Sequence, residues 1–88
     1  MQRSMNDIVK HLVATMGVNS AEIHLNMCIA NRRGLAMAGV TDAASVDFAV
    51  MDYLAFTVSS VLTADDCMVI LNWVKEIDPA ICYYNLSR

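Results

Sequence analysis

The sequence predicts an all-α protein: a compact bundle of four main helices plus a short C-terminal helix, folded as a single helical domain over residues 1–88. Three observations carry this. Apolar residues recur at helical spacing through most of the chain, N-cap residues and stop signals punctuate it at helix-length intervals, and there is no second alternating run with which a strand could pair.

Composition sets the bounds. Apolar residues make up 57% of the 88 positions and charged ones 17%, far from the composition of disordered chains, so folding is expected. The apolar share also exceeds the ~45–50% usual in globular proteins. A domain this small cannot bury so much by itself, so a second copy or a partner chain is expected to cover the excess. The net charge of −3 and a pI near 5.0 oppose a nucleic-acid or anionic-membrane role, because phosphate binding needs clustered Lys and Arg. Only six such residues exist, and they are scattered. Cys28, Cys67 and Cys82 have no paired spacing, and the start MQRSMNDIVKH lacks the apolar core of a signal peptide. Reduced thiols in a cytoplasmic protein are the expectation.

The first helix is expected over residues 4–16. Ser4 stands three residues before Asp7, close to a capping box, and Met5, Ile8, Val9, Leu12, Val13 and Met16 repeat at helical spacing until Gly17 supplies a stop. A second helix is expected over 20–33, capped by Asn19 or Ser20, with Glu22 in its first turn and Arg32, Arg33 and Gly34 at its end. Ala21, Ile23, Leu25, Met27 and Ile29 also alternate as in a strand, but the cap and stop chemistry at both ends favours the helix. Leu35 to Val40 reads as a loop.

Residues 42–62 are expected to form a central buried helix around which the bundle is built. The run TDAASVDFAVMDYLAFTVSSVL contains no Gly or Pro and only three charged residues, Asp42, Asp47 and Asp52. Ser45, Asp52 and Ser59 share one edge of the wheel, and most of the remaining circumference is apolar, as in a helix enclosed by others. Its length nearly spans a bilayer, but Asp47 and Asp52 would each cost ~2.5–3.5 kcal/mol mid-membrane, which excludes that reading. A fourth helix is expected over 64–77: Thr63 caps it, TADD is a capping-box variant, and Cys67, Ile70, Leu71, Val74 and Ile77 form its buried face. Asp78-Pro79 marks a boundary, after which AICYYNLSR is expected to form the short final helix.

The most specific local pattern is LVATMGVNSAEI, Leu12 to Ile23. A helix ending in an apolar residue, then Gly-Val-polar-Ser, then a second helix, resembles the helix-turn-helix of bacterial and phage regulators. The resemblance implies a DNA-binding unit in residues 12–30 that would present Ser20, Glu22 and His24 to the major groove. Those are poor readers of bases and phosphates beside Arg, Lys, Asn and Gln.

His24 and Cys28 lie four apart and share a helical face, yet a metal would need two more ligands from elsewhere, so no metal is expected. Asp47, on the apolar side of the predicted spine, needs a partner. Arg32, Arg33, Lys10 or Lys75 could supply one internally, or Asp47 could grip a basic residue on a partner protein. Arg32 and Arg33 suit both a helix end and a binding contact. Tyr83 and Tyr84, near the chain end, are candidate interface anchors. No Ser-His-Asp set, glycine-rich phosphate loop or paired-acid cleft can be argued from spacing, so neither catalysis nor a cofactor is expected. By elimination, the chain reads as a small non-enzymatic protein-interaction module, a bacterial or phage-type regulator or inhibitor that binds a partner protein and self-associates.

Overall fold

The computed structural model describes residues 3–77, 80, 81 and 83–86. Among these residues the regular structure is all helical, in three helices: α1 (Met5–Met37), α2 (Ala43–Thr57) and α3 (Ala64–Glu76). Each helix packs against both others around one shared core that includes Ile8, Leu12, Leu25, Val50, Leu54 and Ile70.

The helix count differs from the four main helices plus a short one expected from sequence. Residues 4–16 and 20–33 belong to a single element, α1, in which Gly17 alone leaves helical geometry, at φ 86° and ψ 163°. A residue without Cβ takes that left-handed φ at little cost, and the chain kinks there, so α1 is two helical segments joined at the Gly17 stop that the sequence offers, the second resuming directly after it and not at Ser20. Ser4 does cap α1 as read from the sequence, its Oγ accepting from the Asp7 backbone N–H at 3.2 Å. The end of α1 is displaced. Gly34 stays helical and the chain runs on to Met37, where Gly39 adopts φ 83°. The Gly39 N–H then donates to Ala36 O at 3.1 Å and Val40 N–H to Leu35 O at 2.9 Å. This is the hydrogen-bond pattern of a Schellman stop.

Two expectations for residues 42–62 also give way. Asp42 caps α2, accepting from Ser45 N–H at 3.0 Å and from Ser45 Oγ at 2.7 Å. The helix ends at Thr57, however, because Thr57-Val58 and Ser59-Ser60 are weak helix formers. The chain turns instead, with Val61 and Leu62 both donating to Val58 O. Val58 and Leu62 reach the core from that turn, and His11 Nε2–H fixes it by donating to Val61 O at 2.9 Å. Nor is α2 a buried spine: only Val50 and Leu54 are fully buried within it, while Phe48 and Phe56 face outward. With three helices, each touches two neighbours, and the far side of α2 has none to cover it. The deepest packing falls on α1 and α3, through residues such as Leu12, Leu25, Cys28, Ile70 and Val74.

α3 follows its sequence reading closely. Thr63 and Asp66 form a full capping box, and Cys67, Ile70, Leu71 and Val74 are buried, with Ile77 half-buried. The expected fifth helix is not found among the described residues: 80 is in a turn, 86 in a bend, and 81 and 83–85 have no regular structure, while residues 78, 79, 82, 87 and 88 lie outside the described residues. The reason is a competing use of the backbone. Asn26 takes both polar groups of Tyr84, its Nδ2 donating to Tyr84 O at 2.8 Å and its Oδ1 accepting from Tyr84 N–H at 2.6 Å. Glu22, one turn earlier, accepts from Leu86 N–H at 2.7 Å. These side chains on α1 satisfy the Tyr84 and Leu86 amides without helix formation.

Candidate functional site

The outward face of α2 carries the largest uncovered apolar side chains that lie together. Phe48 is 73% exposed and Phe56 89%. Spaced eight apart, they flank Asp52 at one-turn steps on either side. With Asn31 of α1, and Ala49, Tyr53 and Thr57 of α2, these three line an open groove of about 600 Å³. Its floor is held from below. Tyr53 Oη and His24 Nδ1 are hydrogen-bonded at 2.9 Å, which ties α2 to α1. Burial raises the Tyr53 phenol above its ordinary value, so it stays neutral and the groove gains no charge there. Asp52 is exposed and makes no ion pair or hydrogen bond among the described residues. It is the one ionisable carboxylate in the groove.

The sequence-predicted contact residues are dispersed. Asp47 finds its partner internally, with Lys75 Nζ at 3.0 Å from its Oδ1, so α2 is tied to α3 by an ion pair. Arg32 Nη1 donates to Val74 O and to Ile77 O at 3.2 Å, capping the C-terminal carbonyls of α3 instead of the end of its own helix. A cation is favoured there by the α3 dipole. Arg33 is half-buried and joins Arg32, Ile29, Met37, Ile77 and Ile81 around a cleft of about 220 Å³. Tyr83 donates its hydroxyl proton to Glu22 Oε1, and that carboxylate raises the phenol's pKa. Tyr84 packs edge-on against Trp73, with ring centroids 5.1 Å apart at 78°. Thus Arg32 with Arg33, Asp47, and Tyr83 with Tyr84 mark three separate places.

Of the residues the helix-turn-helix reading would present to DNA, Ser20 is half-buried, Glu22 is engaged by the tail and His24 by Tyr53. Cys28, which shares a face with His24, is fully buried. Burial, with the Cys67 thiol nearby, pushes its pKa up to about 12, so it is neither a ready nucleophile nor a ready ligand. Among the described residues no three His, Cys, Asp or Glu side chains converge as a metal site would need. No helix among them is long and apolar enough to cross a membrane.

Phe48 and Phe56 were the residues sequence reasoning missed. The signal was present: each lies four positions from Asp52, on the wheel edge already recognised as polar. A Phe beside an exposed carboxylate on that edge has no room in the core. Compared with known proteins, the chain matches no family model, no curated protein and no solved structure.

Proposed function

We propose that this chain is a small, non-enzymatic protein-interaction module, a cytoplasmic regulator or inhibitor of bacterial or phage type, that docks a partner protein through the outward face of α2. The observation that carries the reading is the pair Phe48 and Phe56, two large aromatic side chains left in water on one face of a well-anchored helix. Aromatic anchors of this kind supply much of the energy of an interface when a partner desolvates them. The rigid base beneath them, through Tyr53 to His24 and Asp47 to Lys75, lowers the ordering cost of binding. Ile23 and Met27, one turn apart on α1 and both exposed, add apolar surface for self-association. The buried, protonated Cys28 and the hydrogen-bonded His11 and His24 leave little for chemistry, which supports a binding role.

The test compares wild type with Phe56→Asp as bait in quantitative affinity capture, alongside size exclusion with light scattering. A partner retained by wild type and lost by the variant, at unchanged helical circular dichroism, is the expected result. Identical capture profiles for the two proteins would remove α2 as the docking face.

A further inference from the structure

We propose that the occupant of the α2 groove is a basic amphipathic helix, one that places a Lys or Arg between two apolar residues at one-turn spacing. This rests on the reading of α2 as a docking face and specifies its partner. The first argument is charge. Ala43–Thr57 contains Asp47 and Asp52 and no Lys or Arg; Lys75 neutralises Asp47, and Asp52 remains unpaired among the described residues. The groove therefore has one negative charge, flanked by Phe48 and Phe56, with only neutral polar groups from Asn31, Tyr53 and Thr57. A cation set between apolar groups complements that pattern, and an apolar helix without one would desolvate Asp52 uncompensated.

The second argument is shape. From Phe48 to Phe56 the strip runs about 12 Å along α2, at 1.5 Å per residue. Asn31 of α1 lies at its margin, so the strip is a shallow, open surface along α2 beside α1, which a helix can cover through anchors at successive turns. Such a ligand would supply the cover that the three-helix arrangement leaves out.

A second copy is disfavoured on this strip. Asp52 is the midpoint between Phe48 and Phe56. A two-fold antiparallel contact that seats Phe48 of one copy against Phe56 of the other brings Asp52 onto its own image, and like charges in a desolvated contact repel. A foreign helix has no such constraint.

The experiment uses the full chain and a fluorescently labelled, stapled helical peptide with Leu, Lys and Leu at successive one-turn positions. Its counterpart carries Glu in place of Lys, and binding is read by anisotropy. The basic peptide is expected to bind wild type at least about tenfold more tightly than its acidic counterpart and to weaken with added salt. Asp52→Lys, at an exposed site that leaves the core untouched, should invert the preference. Equal binding of both peptides overturns the charge assignment and leaves α2 as a docking face. If neither binds and Phe56→Asp converts a dimer to a monomer by light scattering, the occupant is a second copy and this inference fails alone. If neither binds and Phe56→Asp leaves the oligomeric state unchanged, this inference fails, and the capture comparison of wild type with Phe56→Asp decides the docking face separately.

Discussion

Asp66 shows how one carboxylate fixes the start of the chain to its last helix. Its side chain is 3% exposed, accepts from Arg3 Nε at 3.1 Å and from Arg3 Nη2, and closes the capping box by accepting from Thr63 N–H at 3.0 Å. The Arg3 guanidinium beside it and the capping bonds hold its pKa at about 2, against the opposing effect of burial. Because the folded value lies below the unfolded one, Asp66 stabilises the fold above about pH 4, and that contribution drains away as pH falls toward 2. Asp66→Asn should therefore cost about 1–2 kcal/mol at neutral pH and flatten the acid limb of stability between pH 4 and 2. Urea titrations across that range measure both. The Thr63 half of this arrangement was legible, since capping partners sit three residues apart; the Arg3 half was not, because 63 positions separate the partners. The same holds for Asp47, whose need of a cation was readable while the choice among Arg32, Arg33, Lys10 and Lys75 waited on the packing.

At the level of elements, glycines decide where α1 bends and ends. Gly39 holds the left-handed φ that the Schellman stop requires, whereas Gly34 is an ordinary helical residue with open space where a Cβ would go. Opposite outcomes follow. Gly34→Ala should stabilise by about 0.5–1 kcal/mol through helix propensity, and Gly39→Ala should destabilise by about 1–2 kcal/mol by forcing Cβ into a left-handed site. Thermal melts of the two variants measured side by side check the contrast. From sequence, Gly34 following Arg32-Arg33 reads as the end of the helix. The choice between two nearby glycines is made by the hydrogen bonds of Gly39 and Val40, which no local pattern displays. The end of α2 was misplaced for a related reason: the turn after Thr57 is paid for by core contacts of Val58 and Leu62 and by His11, all distant in sequence.

For the molecule as a whole, the apolar surplus is readable in composition, and its location shows in sequence only through the polar wheel edge that Phe48 and Phe56 share with Asp52; an α2 expected to be enclosed obscures it. Three helices cover one side of α2, so neighbouring positions on it differ sharply. Leu54→Ala, in the core at 1% exposure, should cost about 2–5 kcal/mol. Phe56→Asp, two residues on, should shift stability by no more than about 0.5 kcal/mol; chemical denaturation of both variants tests the asymmetry. The tail has a different consequence. Trp73 is the chain's single tryptophan, and its ring meets Tyr84 of the segment that Asn26 clamps. Indole emission therefore monitors the seating of residues 83–86 on the bundle, an optical signal built into the sequence and separable from the far-ultraviolet signal of the helices.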